Sequence, residues 1–424
     1  MSVEDRPDAA SRSYPPAVSL LRRSTGFRDK LHAAKTGDVG DWLLGEAVNQ
    51  DDLLLLFEEF ICRLVATGKP LDRASLHVGT LHPQLYGFAW NWESGDGFCD
   101  EVKVPEEALL SDAYRKGPLS QVVEKGEMIR RFTSDPDAAN EFKLVAELKA
   151  AGFTEYVAMP LRAGAQYHNA FTMATKQPGG FTADQFAVLS GYARLFALHV
   201  ERHIALKLAT NVSMTYLGKE AGKRVLEGSI KRGDGVPINA VIWVSDLRGF
   251  TDLSNRLDDA LLTKLLNAYF ERLVSAVTDH GGEVLKFIGD GLLAVFAYDR
   301  FDDQKSAAAA SVKAAEQALA ELDDLNQNAP SELEDSTLWK PLKTGIGLHE
   351  GEIFFGNIGG AARLDFTVIG NAVNAASRIE AMTKSLGRPL LLSQNVAQLL
   401  DRPLQSFGSQ QLRGLAHPVV LYGI

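Results

Sequence analysis

Two aspartates carry the clearest chemical signal in the sequence. Asp246 directly follows an apolar run that begins at Val241, and Asp290 stands between two glycines that separate two apolar segments. Carboxylate oxygens, completed by phosphate oxygens and water, are the ligands that Mg²⁺ and Mn²⁺ prefer. Either aspartate alone is more often a turn or cap residue. The pair therefore indicates a metal site only if the fold brings both carboxylates together.

The elements around these aspartates predict that they converge. The pattern predicts, in order, a central apolar strand over 238–245, a helix over 258–280, a hairpin of strands over 283–288 and 292–297, an alanine-rich helix over 303–325 and a strand over 343–349. This β-α-β-β-α-β order is that of the ferredoxin-like fold, an α+β fold. There the first strand pairs antiparallel with the third, so Asp246 would lie beside Asp290.

Other polar residues stand at positions where chemistry is possible. Lys286 lies on an apolar strand, which is unusual because lysine is almost never buried unpaired, although an exposed edge strand would also explain it. Asn374 and Arg378 are four residues apart, hence on one face of the helix predicted after Gly370. The alternative for these two is a surface residue and a helix ion-pair partner. Gly249 would let the backbone approach a phosphate closely.

Four segments, in order, resemble the motifs of class III nucleotide cyclases. They are Val241–Thr251, Gly281–Phe296, Gly345–Gly359 and Asp365–Glu380. The resemblance implies an adenylate cyclase, a lyase of signal transduction that binds ATP and makes cyclic AMP and pyrophosphate. It also implies two Mg²⁺ or Mn²⁺ ions per site, held by Asp246 and Asp290. One ion activates the ribose 3′-oxygen for in-line attack on the α-phosphorus, and the other holds the triphosphate.

The same resemblance assigns the remaining site residues. Lys286 and Thr367 match the two purine-reading positions, and a lysine donor suits the adenine N1 acceptor but not the protonated N1 of guanine. Many family members have aspartate where this chain has Thr367; the Lys and Thr pairing is that of class IIIb, which is read as ATP-specific. Asn374 and Arg378 match the residues that orient the ribose and hold the phosphates. Arg388 matches a further phosphate-facing arginine, and the general base stays open between water, substrate and a carboxylate.

The family's site lies between two catalytic domains, and this chain carries all of the site residues on one. The resemblance therefore implies a head-to-tail homodimer with two equivalent sites, and a nearly inactive monomer. Two other readings stay open, a guanylate cyclase and a catalytically silent nucleotide-binding signalling module. A diguanylate cyclase would need a Gly-Gly-Asp/Glu-Glu-Phe signature, which the sequence lacks.

The chain is long enough for more than one domain, with 424 residues. We predict a disordered leader over 1–38, a GAF-like α+β sensor domain over 39–181, a connector over 182–235 and the cyclase domain over 236–424. The connector helix either packs back on the sensor domain or forms a dimeric coiled coil. The sensor domain would receive an unknown small-molecule or protein input. Its alternating aromatics (Tyr86, Phe88, Trp90 and Trp92) are more often core than a ligand cage.

The amino-acid composition argues against several other classes of protein. The net charge of −10 removes the phosphate-driven term that dominates nucleic-acid binding, so no nucleic-acid partner is expected. The two cysteines, Cys62 and Cys99, cannot form a disulfide framework and favour a reducing, cytoplasmic setting. No apolar run is long enough to predict a membrane span.

Overall fold

The computed structural model describes residues 12, 14, 15, 17–24, 38–82, 85–163, 167–328, 341–415 and 417–424. The chain divides into two compact units, Met1–Ala209 and Thr210–Ile424, and each is described by itself. Among the described residues, no helix is both long and apolar enough to cross a membrane.

The N-terminal unit is built on an antiparallel sheet, seven-stranded among the described residues, in the order β1-β4-β3-β2-β7-β6-β5. Its strands are β1 (Ser19–Arg23), β2 (Arg73–His82), β3 (Leu85–Glu93), β4 (Cys99–Val104), β5 (Ile129–Phe132), β6 (Glu155–Ala163) and β7 (Tyr167–Thr175). Its helices are α1 (Val39–Leu44), α2 (Leu53–Ala66), α3 (Asp112–Arg115), α4 (Pro118–Lys125), α5 (Pro136–Glu141), α6 (Lys143–Ala150) and the long α7 (Ala183–Leu217). Helices and an antiparallel sheet agree with the α+β prediction, while the GAF-like assignment stays a prediction.

The strand β1 corrects part of the predicted leader. Most of the segment 1–38 lies outside the described residues, but residues 19–23 pair with β4 and are therefore not disordered. Their polar side chains explain the error, because Arg22 and Arg23 pair with Glu101 and Asp100 rather than with apolar groups. Charge complementarity across strands leaves no hydrophobic pattern for sequence analysis to detect.

The predicted coiled-coil seam on α7 packs inside the N-terminal unit. Leu189, Ala193, Phe196 and Val200 are buried in the core of this unit, and the Phe196 ring stacks on Phe60 with 4.3 Å between ring centroids. Within one chain the helix therefore packs back on this unit, and the arrangement of the connector in a dimer stays a prediction. The predicted connector, 182–235, is accordingly divided between the two units at residue 209.

The C-terminal unit carries the residues predicted to do chemistry. Its strands are β8 (Gly235–Leu247), β9 (Glu283–Ile288), β10 (Gly291–Ala297), β11 (Thr344–Gly360), β12 (Arg363–Ile369), β13 (Leu390–Ser393), β14 (Gln405–Gln410) and β15 (Val419–Gly423). Its helices are α8 (Lys219–Leu226), α9 (Phe250–Ser254), α10 (Asp259–Asp279), α11 (Gln304–Gln327), α12 (Asn371–Leu386) and α13 (Gln394–Gln398). The predicted order of strands and helices between 238 and 349 is confirmed, with the ends of most elements shifted by only a few residues.

The sheet order confirms the ferredoxin-like topology of this part of the chain. The strands run β11-β8-β10-β9 through the centre, with β8 antiparallel to both β10 and β11. One face packs on α10 and α11 around the fully buried Trp243 and Tyr269. The other face is covered by α8, α12 and β12. Because residues alternate along β8, Asp246 lies on the same face as the buried Ile242, the face that α12 covers.

Candidate active site

Asp246 and Asp290 meet at one end of the strand pair β8 and β10. Gly291, the residue after Asp290, is the direct partner of Asp246 in the antiparallel register. A methyl group added to Gly291 would lie 3.4 Å from Asp246 Oδ1, so the Asp246 carboxylate lies against this turn. Gly289 allows the tight turn, because its φ of +64° is strained for other residues. The convergence predicted from the topology is therefore present within one chain.

The electrostatics of this pair fit a bound cation. Partial burial raises the pKa of Asp246, the charge of Asp290 raises it further, and the nearby Arg248 guanidinium opposes both effects. Two carboxylates that repel one another at the end of a strand are stabilised by a divalent cation between them. Hard oxygen donors are also what Mg²⁺ and Mn²⁺ prefer. The two residues thus fit the predicted metal-binding role.

The backbone that carries Asp246 is held by the neighbouring strand. Thr344 donates its hydroxyl to the Asp246 carbonyl at 3.0 Å, and the Tyr269 hydroxyl lies 2.9 Å from the same Thr344 oxygen. Tyr269 is fully buried in the core beneath the sheet. Because Tyr269 belongs to α10, these contacts couple the backbone position of Asp246 to the packing of that helix.

An ion pair beside Asp246 was missed by the sequence analysis. Arg248 Nη2 lies 2.9 Å from Glu380 Oε1 and donates to the Thr383 hydroxyl. Glu380 is buried, and burial raises its pKa, with smaller contributions in the same direction from Asp246 and Asp290. Both residues stand close in sequence to predicted site residues: Arg248 follows Asp246 by two positions, and Glu380 follows Arg378 by two. This proximity could have drawn attention to them. Nothing in the sequence, however, shows that α12 crosses the end of β8.

Two glycines in β11 make room for this arrangement. Gly345 is the direct partner of Asp246, and a methyl group there would collide with Arg248 Nη2 and Glu380 Oε1. At Gly347 a methyl group would lie 2.4 Å from the Glu380 backbone nitrogen, so α12 packs directly on the strand backbone. The glycines of the third motif therefore allow the close approach of α12 to the strand end that carries Asp246.

The two predicted purine-reading residues lie on β9 and β12, which contact each other although they are not paired in the sheet. Lys286 on β9 donates to Asp365 on β12 with 2.9 Å between Nζ and Oδ2. Thr367, two residues further along β12, is buried, and its hydroxyl has no hydrogen-bond partner within the part of the chain that the structure describes. A buried hydroxyl without a partner costs free energy, so a bound ligand that bonds to it would recover that cost.

Asn374 and Arg378 lie on the outer face of α12. The inner face of this helix is buried against β11 and β8 by Ala376 and Glu380. Asn374 precedes Ala376 by two positions, and Arg378 precedes Glu380 by two. Two positions correspond to a rotation of about 200° around the helix axis, so the predicted residues face the opposite side. Both are exposed, and neither makes a side-chain hydrogen bond or ion pair with the residues described. They therefore point away from Asp246 of the same chain.

Arg388 lies after the C-terminal end of α12 and already has partners. Its guanidinium donates to Gln405 at 2.6 Å and lies 5.8 Å from the centroid of the Phe407 ring. Both partners belong to β14. A phosphate contact would require Arg388 to leave Gln405, and the assignment stays a prediction.

Comparison with known proteins gives one family for the C-terminal unit. The family model described as the adenylate and guanylate cyclase catalytic domain matches residues 238–422. An adenylate cyclase of Anabaena cylindrica is 32% identical over 189 residues, which are 43% of this chain and 36% of that protein. A terminal-differentiation-specific adenylate cyclase of Dictyostelium discoideum is 29% identical over 199 residues, which are 45% of this chain and 9% of that protein. This chain thus spans well under two thirds of either relative.

Solved structures of the same family are also similar. The adenylyl cyclase CyaB from P. aeruginosa is 30% identical with a TM-score of 0.40, covering 45% of this chain and 95% of that one. The guanylyl cyclase Cya2 is 32% identical with a TM-score of 0.38, covering 46% of this chain and 93% of that one.

Proposed function

We propose that this chain is an adenylate cyclase that converts ATP to 3′,5′-cyclic AMP and pyrophosphate, since residues 238–422 are a catalytic domain of the adenylate and guanylate cyclase family. The observation that carries the proposal is the pairing of Gly291 with Asp246, which brings two carboxylates to one strand end. Asp246 and Asp290 would hold two Mg²⁺ or Mn²⁺ ions. When bound, such ions activate a hydroxyl for attack and neutralise the charge of a triphosphate.

The base would be read on the β9 and β12 surface. Lys286 offers a proton donor that suits the unprotonated N1 of adenine, whereas guanine carries a proton on N1. The Thr367 hydroxyl, which has no partner among the described residues, supports a second hydrogen bond to the purine. Asp365 holds the Lys286 ammonium at 2.9 Å and would act as a positioning residue for it. These contacts favour ATP over GTP, and no contact in the described residues favours the guanylate cyclase alternative.

The ribose and phosphates would be held by α12. Asn374 and Arg378 project from its exposed face without partners among the residues described, so both are free to bind a ligand. Arg378 would place its planar donors against phosphate oxygens, where charge increases as the bond to pyrophosphate breaks. Such a preorganised donor stabilises the transition state more than the bound substrate.

A second copy of the chain would complete each site. Asn374 and Arg378 point away from Asp246 of their own chain, so they would serve the carboxylates of a partner. Exposed apolar residues on β9 and β12 are consistent with a contact surface between copies: Ile288, Leu364 and Ile369. A two-fold arrangement would then produce two equivalent sites. The N-terminal unit, proposed as GAF-like, would regulate this assembly.

The function is tested by incubating the purified chain with ATP or GTP, each with Mg²⁺ or Mn²⁺, and separating the nucleotide products. We expect cyclic AMP from ATP and little cyclic GMP from GTP, because Lys286 lacks a partner on guanine N1. Cyclic GMP as the main product would contradict the assignment of the base. If neither product forms from the full chain or from residues 210–424, the silent nucleotide-binding module is the better reading.

Replacing Asp365 with asparagine tests how Lys286 is positioned. Without the carboxylate the ammonium loses the charged partner of an exposed ion pair, worth about 0.2–1 kcal/mol, so we expect the KM for ATP to rise about two- to fivefold while kcat changes little. The matched control is Glu352→Gln, an exposed carboxylate on β11 of the same β-hairpin. An unchanged KM, or tighter ATP binding, would mean that Asp365 does not position Lys286 for the purine.

A further inference from the structure

A cavity of about 550 Å³ lies inside the N-terminal unit, on the side of the sheet that faces α4 and α6. Its floor is formed by β2, β3 and β4, and its roof by the segment 108–123 with Leu144. This volume lies within the range of pockets that bind small molecules. The cavity lies entirely within one unit, so its existence does not depend on the catalytic proposal.

The floor is hollow because small residues surround one histidine. His77 on β2 is the direct partner of Ala89 on β3 and of Ala170 on β7. The next row along the strands pairs Gly79 with Gly87. Of these residues, Ala89, Gly79 and Gly87 line the cavity and carry a methyl group or no side chain. The opposite face of the same sheet is densely packed with aromatic residues. The small residues on this face, by contrast, leave room for a flat molecule.

Two polar side chains on this floor, His77 and Asn91, each have donor or acceptor atoms without a hydrogen-bond partner among the described residues. His77 Nε2 lies 3.1 Å from the Ser75 hydroxyl, but its Nδ1 has no partner among the described residues. The side-chain amide of Asn91, which also lines the cavity, has none among them either. Burial, and to a lesser extent the charge of Arg73, lowers the pKa of His77 to about 4. The imidazole is therefore neutral at physiological pH.

The charges of the lining disfavour an anion. Of the described lining residues, Arg73 is the only one with a permanent positive charge, and its guanidinium lies 3.5 Å from the Glu93 carboxylate. No lysine and no carboxylate line the cavity within the same set. Elsewhere the lining is mainly aliphatic and aromatic, with the Tyr86 and Tyr114 rings 6.5 Å apart at one side. A phosphate placed here would be desolvated without a free cation to compensate.

We propose that the N-terminal unit binds an uncharged, mainly apolar aromatic small molecule in this cavity, with its polar edge at His77 and Asn91. The ring system would lie over Ala89, Gly79 and Gly87, and its polar edge would bond to His77 Nδ1 and the Asn91 amide, which have no partner among the residues described. This inference assigns a ligand class to the input of the N-terminal unit. It also excludes cyclic nucleotides, which carry a phosphate, from this cavity.

The test uses two dyes that share one skeleton and differ in charge. N-phenyl-1-naphthylamine is uncharged, and 8-anilino-1-naphthalenesulfonate is the same molecule with a sulfonate. Fluorescence titration of the full chain should show saturable binding of one uncharged dye per chain, at least about tenfold tighter than the sulfonate, because a buried charge without a partner is costly. Cyclic AMP and cyclic GMP should not displace the dye.

Variants show whether the dye occupies this cavity. Ala89→Leu fills the floor and should abolish binding, whereas Ala150→Leu, on the exposed side of α6, should leave it unchanged. His77→Leu keeps the volume and should weaken binding several-fold, which tests the site even if Ala89→Leu does not fold; thermal melting identifies any variant that fails to fold. Equal binding by folded Ala89→Leu, preference for the sulfonate, absence of binding, or displacement by a cyclic nucleotide would each overturn the proposal.

Discussion

Replacing Asp290 with alanine is expected to lower the rate of cyclic-nucleotide formation at least about a thousandfold, since metal ions contribute several kcal/mol to such transition states. Asp290 precedes Gly291, the strand position opposite Asp246, and the two carboxylates are the metal-binding pair proposed above. Removing one carboxylate leaves Asp246 alone to hold the ions. The measurement is the initial rate of cyclic AMP formation from ATP with saturating Mg²⁺ or Mn²⁺.

The control for this variant lies at the other end of the same strand. Asp299 follows β10 in an exposed turn, so Asp299→Ala removes the same side chain from the same unit without touching the site. We expect it to retain the wild-type rate. If Asp290→Ala remained folded and as active as Asp299→Ala, the pair would have no metal-binding role and the reaction assigned to this strand end would be wrong.

Replacing Arg378 with alanine is expected to lower kcat by roughly 10²–10³, the loss seen when one preorganised transition-state donor is removed. The fold should not be affected, because Arg378 is exposed and has no partner in the described part of the chain. Lys384→Ala is the matched control, an exposed cation on the same helix. A loss of ATP binding with unchanged kcat would instead assign Arg378 to the bound substrate rather than to the transition state.

The same variant tests the two-chain site. Asp290→Ala and Arg378→Ala would damage opposite halves of each site, so an equimolar mixture that exchanges subunits should recover about a quarter of the wild-type rate. Half of the dimers would then be mixed, and each mixed dimer would contain one intact site. A mixture no more active than its two components would show that the carboxylates and Arg378 act within one chain.

The strength of the sequence signal differed between the two units. In the C-terminal unit, alternating apolar strands and helices with one apolar face predicted the βαββαβ order and the convergence of Asp246 with Asp290. In the N-terminal unit, Ser19–Arg23 was missed because it joins the sheet through Arg22 and Arg23 rather than through apolar residues. Ion pairs between distant segments leave no periodic pattern, so only their geometry reveals the strand.

The sequence by itself determined the kinds of groups that could do chemistry and the topology that brings two of them together, because hydrophobic periodicity and glycine turns are local properties. Only the tertiary structure decided which groups are paired and which are free. It showed the Arg248–Glu380 pair, the ion pair of Asp365 with Lys286, and a Thr367 hydroxyl with no partner in the described part of the chain. It also showed the cavity around His77. These features depend on contacts between residues far apart in the chain, and side-chain packing in three dimensions sets such contacts.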